Sequence, residues 1–541
     1  MPEAFTFTKM PPSLHALLDL QVERYGENTY VTCDGQTVSY RALAKLSREL
    51  ATRLIAAGVT KGERVMLVMP GSIMYLGLWF ALSRVGAIET PVNPAYKGLL
   101  LRHLIEISSP CLCLIDDQNI DEFSAAAQGC ATGRIMSLSQ FLSMGLTCGE
   151  EHVSLDMRGR DTAGIIFTSG TTGRSKGVMM SHRQQMSFGQ AFAEITSLDE
   201  TDVTYNFLPF FHIAAKFVAL GTMLTGGRMF LRAAFSVSSF WSDVKEHGTT
   251  VCQAVGGICH MLHSQPPTTF EANNPMRLIY AVPLPWEFRP DFERRFGLTL
   301  VEGYGGTESN LVAYSRPDDQ PPRGSCGRPS PYFEIAIQDE EGNCCLPGEA
   351  GEICVRPRFP STTMNGYFGV PEKTVEVTAD CWFHTGDRGM IDADGFLFFL
   401  DRLKDAIRRR GENISSFEIE RILNSHPAVA ESAVIPVPAQ LGEDEVKAVL
   451  VFKPDSSVSE EEIFQFSAAN MPYFMVPRYI EVRTELPRTP TMKIKKAELK
   501  SECNGEATWD CEKAGLRVTR RGVIAVGSIP GPLIRCSTDS Y

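Results

Sequence analysis

The sequence predicts an α/β protein: a large N-terminal domain of stacked βαβ sheets with a small β unit, followed by a small α+β C-terminal domain. Three observations predict it. Up to Leu300, short apolar runs of strand length alternate with segments of helical period. From Gly324 the texture changes to short strands broken by Gly/Pro turns. After Asp401 it changes again, to a capped helix and further strands. Strands and helices alternating at the first spacing form parallel βαβ units with right-handed crossovers.

The elements follow in order. Leu14, Leu17, Leu18 and Val22 share one helical face, as do Leu43, Leu46, Leu50 and Leu54. Arg64 to Met69 reads as a buried strand stopped by Pro70-Gly71. A helical run from Met74 leads through Gly86 to a strand from Ala87 to Val92. A helix near Leu99 to Ile107 then leads to a strand from Cys111 to Ile115, and Ala163 to Phe167 is another apolar strand. The segments FEIAIQDEEGN, EAGEICVR and DADGFLFFLDR read as the antiparallel unit that closes the large domain. Beyond it, Ser415 and Glu418 have capping-box spacing ahead of Ile419, Ile422 and Leu423. Ala433 to Val437 and Val446 to Phe452 are strands of the second domain. The expected division is a large domain over 1–401, a small domain over 402–518, and a flexible tail over 519–541, with GSIPGP and STDSY near its end.

Composition excludes several function classes. The 541 residues are 43% hydrophobic and 21% charged, enough apolar material for a large core. Lys+Arg of 52 against Asp+Glu of 64 gives a formal charge of -12, whereas binding to nucleic acid or an anionic membrane needs a broad cationic surface. A polyanionic ligand must therefore meet local basic clusters. The start MPEAFTFTKM lacks the basic-then-apolar pattern of a secretory signal. The apolar stretch Met74 to Leu82 falls short of the roughly 20 residues a spanning helix needs. The 15 cysteines are odd in number and contain no C-x-x-C, so they are expected to be reduced buried thiols in a cytoplasmic protein. Oligomeric state is left open, a homodimer being one outcome.

After the strand Ala163 to Phe167 comes Thr168-Ser169-Gly170-Thr171-Thr172-Gly173-Arg174-Ser175-Lys176-Gly177. Glycines let backbone N–H groups turn toward phosphate oxygens, hydroxyls add donors, and Lys176 adds charge. The spacing G-x-x-G-x-x-K is not that of a Walker loop. Four further blocks follow: Tyr304-Gly305-Gly306-Thr307-Glu308, His384-Thr385-Gly386-Asp387, Asp401-Arg402-Leu403-Lys404-Asp405 continuing to Asn413, and Leu486 to Lys493. Loop and blocks, in this order, resemble the adenylate-forming superfamily of acyl-CoA synthetases, peptide-synthetase adenylation domains and beetle luciferases. The stretches GENISSFEIE, TPTMKIKKAEL and TWDCEKAGLRV are most similar to its carnitine/crotonobetaine-CoA ligase branch.

The resemblance implies a chemistry. A carboxylate is a poor acylating agent because oxide is a poor leaving group. Transfer to the α-phosphate of ATP gives an acyl-adenylate whose AMP departs readily, provided that charge is neutralised and the reacting oxygens are held in line. Glu308 is the implied Mg2+ ligand, since that ion favours carboxylates together with phosphate oxygens. Thr307 is placed at the α-phosphate, Tyr304 at adenine with Gly305 beside it in the nucleotide site, Asp387 at ribose, Arg402 at ribose or phosphate, and Ala281-Val282-Pro283 at the adenine edge. Lys493 is the implied catalytic lysine, although Met492 stands where the family usually has glycine, and Lys495 and Lys496 lie close by. By resemblance the small domain is mobile: it rotates about a hinge at Lys404, so that Gly411-Glu412-Asn413 line the pantetheine passage of coenzyme A. Arg408 to Arg410, the most basic stretch of an acidic chain, are then expected near nucleotide phosphates. His212 matches a position beside the acyl pocket, where it gates the pocket or orients the carboxylate. Phe211 to Phe217 and Ala254 to Ile258 are the expected apolar lining. His260 and His263, an H-x-x-H without a glutamate, read as helix surface.

The implied function is an acyl-CoA synthetase that uses ATP, Mg2+ and coenzyme A to activate a small-molecule carboxylic acid. Two alternatives stand beside it. One is an acyl-AMP ligase loading a carrier-protein thiol; the other is a nucleotide-binding regulator without turnover, suggested by Met492 and the unusual tail.

Overall fold

The computed structural model describes residues 9–144, 154–168, 175–268, 271–403, 407–409, 412–414, 416–438, 444–454, 456–489, 492–502, 504–505, 507–519 and 522–525. The chain forms two compact units. One comprises Met1–Phe399 with Pro490–Met492, the other Leu400–Thr489 with Lys493–Tyr541.

Among the described residues the large unit holds two seven-stranded sheets. In one the order is Thr299–Val301, Leu278–Ala281, Val251–Ala254, Val203–Asn206, Arg228–Leu231, Thr29–Cys33 and Gln36–Ser39. All neighbours are parallel except the last pair, which forms a hairpin. In the other the order is Gly366–Tyr367, Lys176–Ser181, Thr162–Thr168, Ile88–Pro91, Arg64–Val68, Leu112–Ile115 and Arg134–Ser137. Its parallel half comes from the alternating N-terminal segments, and its first two pairings are antiparallel. The parallel strands are buried on both faces (Leu112–Ile115 is buried at every position), which accounts for their continuous apolar runs.

Helices cover the sheets and pack into one large core and a smaller one around Met66, Leu104 and Phe123. His182–Thr196 and Ile213–Thr225 pack so closely that a Cβ on Gly189 would lie 2.6 Å from Leu220 Cβ, and one on Gly221 would lie 2.9 Å from Gly189 O. Only glycine permits that approach. Phe188, Phe192, Phe217 and Tyr280 pack ring against ring beside the contact and are buried. Each such side chain stabilises the fold by roughly 2–3 kcal/mol through the apolar area it removes from water.

The antiparallel unit expected after Gly324 is present as Phe333–Gln338, Gly351–Pro357, Phe383–Ile391 and Leu397–Arg402 in that order. The small unit is built on Val429–Pro438, Asp444–Phe452, Tyr479–Arg483 and Thr508–Asp510. Ile419, Leu423, Val434, Val446, Phe464 and Ile480 form its core. Its helix Ser416–Asn424 is held from a distance: the buried Asp401 carboxylate accepts from Ser416 N at 2.6 Å and from Ser416 Oγ at 2.7 Å. The capping box expected at Ser415 lies outside the described residues.

Two expectations are corrected. Residues 522–525 are strand rather than tail: Gly522–Ala525 pairs antiparallel with Leu516–Thr519, and the β-branched Val518, Val523 and Ile524 favour strand there. Cys344 and Cys381 are exposed rather than buried, and the described cysteines are all free thiols. Among the described residues no helix is long and apolar enough to cross a membrane.

Candidate active site

Thr162–Thr168 and Lys176–Ser181 form an antiparallel hairpin in which Thr168 faces Lys176. Ser169, Gly170, Thr171, Thr172 and Gly173, at its tip, lie outside the described residues. The next strand across carries Tyr367, whose ring lies 4.7 Å beneath the Lys176 ammonium. The Tyr367 hydroxyl donates to Glu308 Oε1 at 3.1 Å. Burial first, and the Glu308 carboxylate second, push the Tyr367 phenol well above its ordinary value, so it remains a donor. Lys176, Tyr367 and Glu308 thus form one chain of contacts at the base of the loop.

The Thr307–Glu308 backbone is fixed from the helix that follows the hairpin. Ser181 caps this helix by accepting from Gln184 N at 3.0 Å, and Gln184 Nε2 donates to Thr307 O at 2.9 Å and Glu308 O at 3.3 Å. Gly305 is required here because a Cβ would lie 2.0 Å from Asn310 O. Asn310 itself takes the left-handed conformation at φ 82 and donates to Ser187 Oγ and Thr362 O.

Tyr304 and Asp387 meet directly: the buried phenol donates to Asp387 Oδ2 at 2.7 Å. Burial, reinforced by Asp387, holds that phenol protonated. Its ring stacks on Phe399 at 6.1 Å. Ala281 ends a core strand, and Val282 N donates to Ala254 O. The segment after Pro283 is clamped by Glu302, which accepts from Leu284 N at 2.9 Å and Trp286 Nε1 at 3.0 Å. Burial raises the Glu302 carboxyl to about 8 against the pull of these two donors.

His212 caps Ile213–Thr225, its Nδ1 accepting from Ala214 N at 3.1 Å. In the expected apolar lining, Ala214, Ala215 and Phe217 are buried, but Lys216 is fully buried among them. Its ammonium lies 2.7 and 2.8 Å from the Glu89 oxygens, under Tyr75 and 4.2 Å from the Trp79 ring. Burial lowers the Lys216 pKa, and Glu89 opposes that shift. His263 is not simple helix surface: its Nε2 lies 2.8 Å from Asp291 and its ring stacks on Phe288.

The remaining sequence-derived candidates belong to the small unit. Lys493 lies in a tight turn, where its N donates to Thr489 Oγ1 at 3.0 Å and its carbonyl accepts from Thr489 N at 2.7 Å. Met492 adopts φ 65, the left-handed region where glycine is the unstrained residue. Of the neighbouring lysines, Lys496 is committed to Ser416 Oγ at 2.6 Å and Glu420 at 2.8 Å, and Lys495 pairs with Glu498. Arg402 ends the strand Leu397–Arg402. Arg408 lies on the strand Ile407–Arg409, and Glu412 and Asn413 on its partner Glu412–Ile414. Arg409 departs from expectation: it is buried, donates to Val476 O at 2.7 Å and pairs with Glu445 at 2.5 Å, so it braces the small unit instead of meeting phosphates. Lys404, Arg410 and Gly411 lie outside the described residues.

The family model described as AMP-binding enzyme matches residues 18–368, and that of the AMP-binding enzyme C-terminal domain matches residues 418–493. Crotonobetaine/carnitine–CoA ligase of Shigella sonnei is 31% identical over 513 residues, 90% of this chain and 98% of the relative. Among solved structures, ATP-bound MatB from Rhodopseudomonas palustris is 27% identical, with a TM-score of 0.82 over 90% of this chain and 98% of its own. The o-succinylbenzoate CoA synthetase MenE of Bacillus subtilis, in complex with its acyl-adenylate intermediate, is 26% identical, with a TM-score of 0.81 over 92% and 99%. The chain therefore belongs to the AMP-binding enzyme family of adenylate-forming ligases.

Proposed function

We propose that this protein is an AMP-forming acyl-CoA synthetase: it joins a carboxylic acid to AMP with release of pyrophosphate, then passes the acyl group to the thiol of coenzyme A. The observation that carries this reading is the chain Lys176–Tyr367–Glu308 at the base of the phosphate loop, with Tyr304 joined to Asp387 a few residues before Glu308.

In this reading Lys176 attracts the triphosphate, and the Tyr367 hydroxyl orients the Glu308 carboxylate. That carboxylate is a hard oxygen donor beside phosphate, the donor type Mg2+ prefers, and with the metal bound it would share the charge of the phosphates. Asp387 accepts from the ribose hydroxyls while Tyr304 fixes its rotamer. The Glu302 clamp holds the segment after Ala281-Val282-Pro283 at the adenine edge. Lys493 supplies the cation that bridges carboxylate and α-phosphate during adenylation, a role supported by the commitment of Lys496 elsewhere. His212 borders the acyl group. In the second half-reaction Lys404 acts as the hinge, and Arg402, Arg408, Arg410, Gly411, Glu412 and Asn413 serve the nucleotide and the pantetheine arm. The physiological setting proposed is the cytoplasm, and the acid is named here only by class.

Acid-dependent exchange of labelled pyrophosphate into ATP, followed by addition of free coenzyme A, tests the reading. Exchange with thioester formation is expected. Exchange without any CoA thioester would instead indicate a carrier-protein thiol, and no exchange across a broad panel of acids would indicate a regulator. Lys493→Ala should slow adenylation by at least about 100-fold while thioester formation from supplied acyl-adenylate survives.

A further inference from the structure

The antiparallel sheet of the large unit carries a side-chain cluster that adenylation does not use. Cys354 pairs across the sheet with His384. The register shifts between Glu352 and Cys354, and this irregularity brings both residues to the same imidazole. His384 Nδ1 lies 2.8 Å from Glu352 Oε2 and 3.5 Å from Cys354 Sγ. One donor atom from each of the three residues falls within 4.8 Å of the other two. Cys354 is buried, and its thiol also lies 3.3 Å from Gln338 Oε1. Gln338 bridges to Cys344, a second thiol within electrostatic reach of Cys354.

We propose that Glu352, Cys354 and His384 form a binding site for a thiophilic divalent cation of the zinc class, separate from the magnesium position at Glu308. Thiolate, imidazole and carboxylate are donors that zinc accepts together, whereas magnesium demands oxygen. Tetrahedral zinc with ordinary bond lengths sets its nitrogen and sulfur donors about 3.5 Å apart and its nitrogen and oxygen donors about 3.4 Å apart. The first separation is already present, and the second opens by about 0.6 Å when the ion replaces the hydrogen bond.

The protons balance. The thiol proton leaves to buffer as the sulfur–metal bond forms, and the Nδ1 proton moves to Nε2 so that the Nδ1 lone pair faces the ion. Nε2 is buried without a hydrogen-bond partner among the described residues, so the tautomer change exchanges one unmatched atom state for another. Glu352 Oε1 also accepts from Gly386 N at 2.9 Å, next to Asp387. Occupancy therefore bears on the turn that presents Asp387, a consequence that rests on the proposed function; the binding itself does not.

The test titrates the metal-depleted full chain with Cd2+, a spectroscopic stand-in for Zn2+, and follows the ultraviolet thiolate-to-metal band. Wild type should bind one equivalent that Zn2+ displaces and that Cys354→Ser lacks, while Cys344→Ser retains it. Identical titrations of wild type and Cys354→Ser would overturn the site. Should Cys354→Ser not fold, a zinc-edge anomalous map from wild-type crystals decides: a peak among these three side chains supports the site, and its absence there refutes it. With zinc bound, KM for ATP should rise by about fivefold in wild type and not in Cys354→Ser. An unchanged KM with the ion in place would refute the coupling to Asp387, independently of whether the adenylation reading holds.

Discussion

Replacing Tyr367 by phenylalanine separates the two contacts that join Lys176 to Glu308. The ring beneath the ammonium at 4.7 Å is kept, and the hydroxyl donating to Glu308 at 3.1 Å is lost. A hydrogen bond to a charged group contributes about 1.5–3 kcal/mol. If the bond orients Glu308 only for the transition state, kcat/KM for pyrophosphate exchange falls by roughly 10- to 150-fold. Because the hydroxyl is buried, its loss also leaves one Glu308 oxygen without that donor, which places the expectation in the upper part of the range. Tyr367→Leu removes the cation–π contact as well, a further about 0.5–1 kcal/mol, or two- to fivefold. The assay is steady-state exchange at several Mg2+ concentrations, with thermal midpoints showing that each variant is folded. A Tyr367→Phe enzyme within about twofold of wild type would refute the assignment of Tyr367 as the residue that orients Glu308.

Three further outcomes are expected. Lys216→Met strands the buried Glu89 carboxylate and should cost about 3–5 kcal/mol in denaturant unfolding, while Lys216→Met with Glu89→Gln recovers most of the loss. Additive losses would show that the two charges are not coupled. At φ 65, Met492→Gly should relieve about 1 kcal/mol and leave adenylation intact, whereas Met492→Val should lower both thermal midpoint and rate. The reverse order would contradict the left-handed turn. Glu302 is raised from 4.5 to about 8, so the folded state holds its proton where the unfolded chain has released it. Its stabilising contribution is full below 4.5 and declines as pH rises toward 8. Thermal midpoints of wild type against Glu302→Gln should show a steeper decline in wild type across that window, and parallel curves would remove the linkage.

Much of the fold was legible because its signals are local. The strand expected at Arg64 to Met69 is Arg64–Val68, and that at Cys111 to Ile115 is Leu112–Ile115, since continuous apolar runs between turn residues mark strands buried on both faces. The family blocks likewise named Glu308, Tyr304 and Asp387, and two of these turn out to be hydrogen-bonded to each other. What sequence reasoning missed depends on distant partners. Tyr367 reaches Glu308 across 59 positions, and Glu89 reaches Lys216 across 127. A lysine inside the apolar run IAAKFVALGTML was nonetheless a usable signal, because such a charge is kept buried only by an opposite one. Glu302, one charge among Thr299-Leu300-Val301 and Gly303, offered a similar clue. Arg409 was misread because a run of three arginines looks uniform in sequence, although strand alternation turns the middle one inward.

The grip of Gln184 on two successive carbonyls ties the hairpin that carries Lys176 and the segment that carries Glu308 to a common mooring. The mooring is in the first turn of a helix whose middle packs glycine against glycine on the helix that His212 caps. Spacing between ammonium and carboxylate is therefore inherited from main-chain architecture. In the proposed reading, side chains beside His212 other than the paired Lys216 can change size under selection for a different acid, while the triphosphate end keeps its dimensions.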